Sequence, residues 1–229
     1  MKSLLLVGGN GALGKAVVTA FKKTSAWRVA SIDVRPNYDA DANVLIDPTQ
    51  SIGSQVTGVK TKLDRTYHSI ICTAGGWAGG SVKDPEGIES FEQMHKACTL
   101  SALMAGHLAT HLLAPKGLLV FTGAKEVYLR PAPSMIGYHL AKTATHAIAQ
   151  NMATLTEIPS DCTVLTILPE VLDTPGNRAA MPDADFSTWA NLEQVASLLK
   201  QWAHGENVPR NGSFVLLDVK NGCVSTSFK

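Results

Sequence analysis

Short apolar runs alternate with longer segments of helical periodicity along the whole chain. The first run, Ser3–Val7, leads into a glycine-rich turn, and apolar residues then recur at helical spacing from Leu13 to Lys23. Apolar residues three or four positions apart indicate an amphipathic helix, whereas short continuous apolar runs indicate buried strands. Six further strands are predicted at 28–33, 44–46, 68–73, 118–122, 162–168 and 213–219. Further helices are predicted at about 87–114, 134–156 and 191–204.

This alternation predicts the fold class. Fully apolar strands separated by helices indicate a mainly parallel sheet with helices on both faces. We therefore expect an α/β fold, a doubly wound Rossmann-type sheet of seven strands. No repeat or linker interrupts the pattern, so residues 1–229 are expected to form a single domain. Residues 169–182 hold three prolines and a glycine, and we expect a lid without helix or strand there, extending over about 169–190.

Composition and charge exclude several classes of protein and of partner. The chain is 45% hydrophobic and 17% charged, which excludes intrinsic disorder. The net charge is +1, so neither nucleic acid nor a membrane surface is expected as a partner. No apolar run near the start is long enough for a signal peptide or a membrane span. Four widely spaced cysteines predict free thiols in a reducing compartment, and we expect a cytoplasmic protein.

The glycine-rich turn is the first candidate site. Gly9, Gly11 and Gly14 form the pattern GxGxxG, and Gly8 permits a GxxGxxG interpretation of the same turn. The pattern alone is weak, but here it follows the first strand and begins the first helix. At that position free backbone N–H groups bind a pyrophosphate, whereas the alternative is a plain strand-to-helix turn. The predicted dinucleotide-binding residues are Gly8, Gly9, Gly11, Ala12, Leu13 and Gly14.

Asp33, at the end of the second predicted strand, bears on the choice of dinucleotide. A carboxylate there accepts hydrogen bonds from the adenosine ribose and repels a 2′-phosphate. Arg35 lies two residues further on and could partly offset that repulsion. We therefore expect NADH to be preferred and NADPH to be possible, unless Asp33 is an ordinary strand-ending residue.

Tyr138 and Lys142 form the candidate catalytic pair. Their spacing places them on one face of a helix, and that helix follows the fifth strand. Open α/β sheets bind ligands at the carboxyl ends of their strands, where such a helix begins. A tyrosine pKa of about 10 is too high for an acid catalyst at neutral pH. We expect the Lys142 ammonium to lower the pKa of Tyr138 and to make it a proton donor.

Together these features resemble the short-chain dehydrogenase/reductase family over the whole chain. The resemblance rests on the glycine-rich turn, Asp33, the segment Thr73-Ala74-Gly75 and Tyr138-x-x-x-Lys142. It implies that Tyr138 is the acid, that Lys142 also binds the nicotinamide ribose, and that Thr174 contacts the nicotinamide carboxamide. Pro169–Thr174 lies at the place of the family's PGxxxT segment, with Glu170 in place of glycine. The implied cofactor residues after the fourth strand are Ala74, Gly75 and Gly76. The helices at about 87–114 and 134–156 would form a homodimer.

Two family features are absent from the chain. Ala124 lies at the place of the usual catalytic serine, and Cys98 is nearest to the place of the usual asparagine. In a ketone reductase such a hydroxyl donates a hydrogen bond to the developing alkoxide. The absence of the serine therefore disfavours ordinary alcohol or ketone chemistry.

Three segments resemble one branch of the family, the dihydropteridine reductases. They are Gly75–Gly80, Met135–Tyr138, and Leu172–Arg178 followed by Met181–Phe186. The implied reaction reduces a quinonoid dihydropterin, such as quinonoid dihydrobiopterin, to the tetrahydropterin with NAD(P)H, as in tetrahydrobiopterin biosynthesis. Reduction of an imine-like ring builds no alkoxide, which fits the missing serine. The implied substrate residues are Trp77, Tyr138, Asn177 and Arg178, although an isolated tryptophan more often packs in a core.

Other interpretations remain open from the sequence. The same turn and the same Tyr138/Lys142 pair would suit a reductase of another quinonoid or imine substrate. A non-catalytic dinucleotide sensor is the alternative from a different class, although sensors commonly lose the tyrosine or the lysine. His107 and His111 share a helical face without an accompanying acidic residue, so no metal site is predicted.

Overall fold

The computed structural model describes residues 1–228, which contain eight strands and eight α-helices. The strands are β1 (Lys2–Val7), β2 (Trp27–Asp33), β3 (Ala42–Leu45), β4 (Tyr67–Cys72), β5 (Leu113–Thr122), β6 (Thr163–Pro169), β7 (Phe214–Lys220) and β8 (Cys223–Phe228). The helices are α1 (Ala12–Lys22), α2 (Ile52–Lys60), α3 (Pro85–Met94), α4 (Ser101–Leu112), α5 (Lys125–Leu129), α6 (Ile136–Thr154), α7 (Pro175–Ala180) and α8 (Leu192–His204). A π-helical segment, His95–Leu100, joins α3 to α4, and a 3₁₀ turn, Phe186–Thr188, precedes α8.

The strands form one sheet in the order β3-β2-β1-β4-β5-β6-β7-β8. Strands β1 to β7 pair in parallel, and β8 pairs antiparallel with β7. The predicted doubly wound α/β sheet is confirmed, but the predicted number of seven strands is one too few. β8 has no continuous apolar run, because it is an edge strand whose side chains are mostly exposed or half-buried.

Both faces of the sheet are buried under helices. One core cluster lies between the sheet and helices α1 and α8, and it includes Val17 and Leu199. The other lies on the opposite face against α4 and α6, and it includes Leu108 and Ala149. Because both faces are covered, the central strands are apolar at nearly every position, which is the pattern that predicted them.

Two predicted segments differ from the structure. The helix expected at about 87–114 is divided into α3, the π-helical segment and α4. The lid is not free of secondary structure, so the expectation for residues 169–182 is wrong. Thr174 Oγ1 accepts a hydrogen bond from the N–H of Asn177 at 3.1 Å, and Pro175 occupies the first helical position. Both features favour the start of a short helix, α7.

Helices α3 and α6 approach each other at Gly137. A Cβ atom at this position would lie 2.5 Å from Ser90 Oγ and 2.6 Å from the backbone nitrogen of Phe91. Glycine therefore permits the backbone of α6 to pack directly on α3, one residue before Tyr138. No helix in the part of the chain that the structure describes combines the length and the apolar character that crossing a membrane requires.

Candidate active site

The glycine-rich turn forms a cradle at the carboxyl end of β1. Gly8 has a φ of +90°, and a Cβ there would clash with the backbone nitrogen of Ala74. A Cβ at Gly14 would clash with the carbonyl oxygen of Gly8. Helix α1 begins with no side-chain cap at Gly11 and no acidic residue in its first turn. Its first N–H groups have no partner within the helix, so the turn fits the pyrophosphate of a dinucleotide.

Asp33 lies beside this turn, at the carboxyl end of β2. Its Oδ2 accepts a hydrogen bond from the N–H of Asn10 at 2.9 Å. Its Oδ1 accepts from the N–H groups of Val34 at 2.7 Å and Arg35 at 3.4 Å. The carboxylate therefore faces the glycine-rich turn, and it also holds part of that turn in place.

The segment after β4 connects the cofactor residues to the catalytic pair. Thr73 Oγ1 donates to the carbonyl oxygen of Gly8 at 3.0 Å, and the N–H of Ala74 donates to that of Val7 at 3.0 Å. At the other end of the segment, a Cβ at Gly75 would lie 3.3 Å from Lys142 Nζ. The structure thus brings two separately predicted groups of residues to the same edge of the sheet.

Lys142 and Tyr138 lie close together on α6, but the pKa of Tyr138 is shifted in the opposite direction to the one predicted from the sequence. Lys142 is 4% exposed, and its Nζ donates to the carbonyl oxygen of Thr122 at 2.8 Å. The same Nζ lies 5.9 Å from the centre of the Tyr138 ring. Burial raises the pKa of Tyr138, and the nearby groups Cys98 and Glu126 raise it further. The expected lowering of this pKa is therefore wrong, and Tyr138 keeps its proton at neutral pH.

The place of the missing serine is filled by a turn that a histidine fixes. Ala124 is buried, and its N–H donates to His146 Nε2 at 3.2 Å. A Cβ at Gly123 would clash with the same imidazole nitrogen. Burial is the main reason that the pKa of His146 is lowered to about 4, so this ring is a neutral acceptor. Because His146 accepts this hydrogen bond, the Ala124 N–H is already paired within the protein.

Cys98 lies in the π-helical segment, near the place of the family's asparagine. It is buried, and its Sγ lies 3.9 Å from the carbonyl oxygen of Gly76. A Cβ at Gly75 would lie 3.6 Å from the same sulfur atom. π-Helical turns are frequent at functional sites, and this one carries the Cys98 thiol near the place where the family usually has an asparagine.

Trp77 is 57% exposed, so the alternative that it packs in the core is wrong. Its ring turns back over the glycine-rich segment, 3.3 Å from where a Cβ of Gly79 would lie. A flat apolar surface is therefore open to solvent at the carboxyl edge of the sheet.

The two polar residues predicted for the lid bind other lid residues. Arg178 donates to both carboxylate oxygens of Asp173, at 2.5 and 2.8 Å, and its guanidinium lies 4.5 Å from the centre of the Phe186 ring. Asn177 Nδ2 donates to the carbonyl oxygen of Leu172 at 2.8 Å. Both side chains thus hold the lid segment in shape.

Three residues of the site were not predicted from the sequence. They are Thr122, whose carbonyl holds Lys142; His146, which holds Ala124; and Asn37, whose Nδ2 donates to the carbonyl oxygen of Gly9 at 2.7 Å. His146 follows Lys142 by one helical turn, and this spacing was the available signal. Asn37 had none, since its partner is distant in the sequence.

Comparison with known proteins decides the family. No protein-family model matches the chain. A dihydropteridine reductase of Dictyostelium discoideum is 37% identical over 227 residues, which cover 96% of this chain and 96% of that protein. The chain belongs to the dihydropteridine reductase family. The resemblance to this branch that the sequence suggested is confirmed.

This chain shares its fold with solved structures of short-chain dehydrogenases. A short-chain dehydrogenase family protein of Francisella tularensis superposes with a TM-score of 0.80 at 20% identity, covering 95% of this chain and 97% of that one. BdcA, solved in complex with NADPH, gives a TM-score of 0.78 at 19% identity, covering 98% and 96%. At such identities the likeness concerns the fold alone.

Proposed function

We propose that this chain reduces a quinonoid dihydropterin, such as quinonoid dihydrobiopterin, to the tetrahydropterin with NAD(P)H. The observation that carries the proposal is the 37% identity to a dihydropteridine reductase over nearly the whole of both chains. The site supports it, because a dinucleotide cradle and a tyrosine–lysine pair meet at one edge of the sheet. The bound nicotinamide supplies the hydride.

The chain's own residues hold that cofactor from two sides. The turn from Gly8 to Gly14 presents the N–H groups of Ala12 and Leu13 to the pyrophosphate, while Asp33 accepts from the adenosine ribose. On the nicotinamide side we assign Ala74, Gly75, Gly76, Lys142 and Thr174. The buried ammonium of Lys142, fixed by Thr122, lies beside Gly75 and is suited to a ribose hydroxyl.

Tyr138 is the proposed proton donor. A reductase must deliver a proton as well as a hydride. Tyr138 carries a proton at neutral pH, but its raised pKa makes it a weak acid, so the transfer depends on stabilisation of the phenolate that forms. Lys142 lies close enough to the ring to stabilise the phenolate that remains after the proton has left.

The residue at the place of the family's serine fits an imine-like substrate. At the place of the serine the buried Ala124 offers a methyl group, and its N–H is bound to His146. A ketone reductase needs a donor there for the developing alkoxide. Reduction of a quinonoid ring forms no alkoxide, so it needs no such donor. The exposed indole of Trp77 supplies a flat apolar surface, on which we place the pterin by stacking.

We propose that residues 1–229 form one domain and that about 169–190 act as its substrate lid. Asn177 and Arg178 keep the lid in shape through Leu172 and Asp173, and closure would bring these two side chains to the substrate. The carboxylate of Asp33 favours NADH over NADPH, because it would repel a 2′-phosphate.

A homodimer is the proposed assembly. Helices α3, α4 and α6 expose the large apolar residues Ile88, Phe91, Leu103 and Leu140. Exposed apolar side chains on helices that pack together favour a protein interface, and we propose that a second copy of these helices covers them. The buried free thiols Cys72 and Cys98 favour a reducing, cytoplasmic location.

The decisive experiment follows NADH oxidation with quinonoid dimethyl-dihydropterin generated by peroxidase. We expect turnover with the wild type and a large loss in the matched variant Tyr138→Phe. NADH binding without turnover would instead indicate a dinucleotide sensor. Turnover of other quinonoid or imine compounds, with the pterin inert, would identify a reductase of a different substrate.

A further inference from the structure

The peptide bond between Gly9 and Asn10 is held at both of its polar ends. Its carbonyl oxygen accepts a hydrogen bond from Asn37 Nδ2 at 2.7 Å. Its N–H donates to Asp33 Oδ2 at 2.9 Å. A peptide plane fixed at carbonyl and amide cannot rotate without breaking one of these bonds. This peptide lies in the middle of the turn that leads into α1, so its orientation governs the N–H groups that follow.

Packing restricts the same peptide from the side of the sheet. A Cβ atom at Gly9 would clash with Ser31 Oγ, so the turn already lies as close to β2 as glycine permits. The turn therefore cannot move inward. Rotation of the Gly9–Asn10 peptide would break at least one of its two side-chain hydrogen bonds.

Asn37 is itself fixed in position. It is 3% exposed, and its Oδ1 accepts a hydrogen bond from the N–H of Asp39 at 3.0 Å, which defines the orientation of the amide. Its backbone N–H donates to Asn43 Oδ1 at 2.8 Å, and Asn43 Nδ2 donates back to its carbonyl oxygen at 3.0 Å. Hydrogen bonds to both Oδ1 and Nδ2 hold this buried amide in one orientation, so it links the position of β3 to that of the glycine-rich turn.

We infer that Asn37 is a positioning residue for the dinucleotide. It orients the Gly9–Asn10 peptide and, through it, the N–H groups at the start of α1. This inference rests on the proposed binding of NAD(P)H. The pyrophosphate is common to NADH and NADPH, so loss of Asn37 weakens both to the same extent. Asp33 differs, since it also faces the ribose and its loss changes the ratio of the two affinities.

The test measures NADH and NADPH binding by fluorescence in the wild type, Asn37→Ala and Asn37→Asp. Removing the donor from a buried carbonyl should weaken both nucleotides by about tenfold to a hundredfold. The affinity ratio, the pterin KM and kcat at saturating NADH should stay unchanged. Asn37→Asp keeps the volume and the acceptor for Asp39 but adds a negative charge. A similar loss of binding in both variants identifies the lost donor, whereas a loss confined to the aspartate variant would come from its charge and would count against the inference.

Asn43→Ala is the matched control. It removes two hydrogen bonds from the backbone of Asn37 but leaves the bond to Gly9, so it should lower Tm with a much smaller loss of binding. If Asn37→Ala and Asn43→Ala each lose dinucleotide binding in proportion to their loss of Tm, Asn37 has only a structural role and the inference is wrong. A changed NADH/NADPH ratio in Asn37→Ala would also overturn it. A wild type that binds neither nucleotide would overturn the proposed function, and this inference with it.

Discussion

Replacing His146 with phenylalanine should make the stability of this protein less sensitive to mild acid. In the native chain this ring is 7% exposed, and it accepts the N–H of Ala124 as a neutral imidazole. Its ring centre lies 5.9 Å from that of Tyr128 and 5.5 Å from that of Phe214. Phenylalanine keeps these aromatic contacts and removes the group that titrates.

The magnitude follows from the pKa of His146, which burial, with help from Lys142 and His139, lowers from 6.5 to about 4. Between these two pH values the unfolded chain binds a proton that the native chain does not. The free energy of unfolding therefore falls as the pH falls from 6.5 towards 4. At pH 5 the loss from this one group is about 2 kcal/mol relative to pH 7.5, since one pKa unit corresponds to about 1.4 kcal/mol.

The assay is urea unfolding at pH 7.5 and at pH 5, at one protein concentration. At pH 7.5 His146→Phe should be less stable than the wild type by about 1–3 kcal/mol, because the Ala124 N–H loses its partner. At pH 5 this difference should shrink by about 2 kcal/mol. His111→Phe is the control, since His111 is an exposed histidine on α4 and its variant should lose as much stability between the two pH values as the wild type.

The outcome that would refute this reasoning is a variant that loses as much stability as the wild type between the two pH values. His146 would then titrate alike in the folded and unfolded chains, and the Ala124 turn would not depend on a neutral imidazole.

Four further substitutions test the site. Tyr138→Phe should lower kcat at least about tenfold and leave NADH affinity unchanged, whereas Lys142→Met should reduce both kcat and NADH affinity. Normal turnover by Tyr138→Phe would show that another group donates the proton. Asp33→Ser should shift the NADPH/NADH ratio of kcat/KM towards NADPH. It should also weaken NADH binding, because three backbone N–H groups lose their acceptor. An unchanged ratio would show that Asp33 does not face the ribose. Ala124→Ser should not raise the rate of quinonoid pterin reduction, but it should allow weak reduction of a small diketone. The gain in that rate should not exceed the roughly 10²–10³-fold that one oxyanion donor supplies in other enzymes. A wild type that reduces the diketone well and does not reduce the pterin would contradict the pterin assignment.

The sheet could be predicted because its central strands are buried on both faces, and such burial appears in the sequence as continuous apolar runs. Strand β8 and helix α2 left no comparable signal. The side chains of β8 are mostly exposed or half-buried, and α2 buries only Val59 and contains two glycines. The π-helical segment was missed for another reason. It inserts into an otherwise continuous helix, and its hydrogen bonds are not visible in periodicity.

The candidate site could also be predicted only in part. Tyr138 and Lys142 are neighbours on one helix, so their spacing was sufficient to pair them. The direction of the Tyr138 pKa was not predictable, because it depends on burial and on Cys98 and Glu126, which only the fold brings near. Asn37 acts on Gly9 across 28 positions of the chain. Such contacts are set by how the loops after different strands meet, and no local pattern encodes them.

The direct packing of Gly137 on Ser90 and Phe91 gives the proposed dimer a role in the chemistry. Helix α3 carries both this contact and the exposed side chains of Ile88 and Phe91. A subunit that covers α3 would therefore support the backbone at the start of α6, where Tyr138 lies. Dilution that separates the subunits should then reduce specific activity before the chain unfolds, and preparations compared at different protein concentrations would give different apparent rates per site.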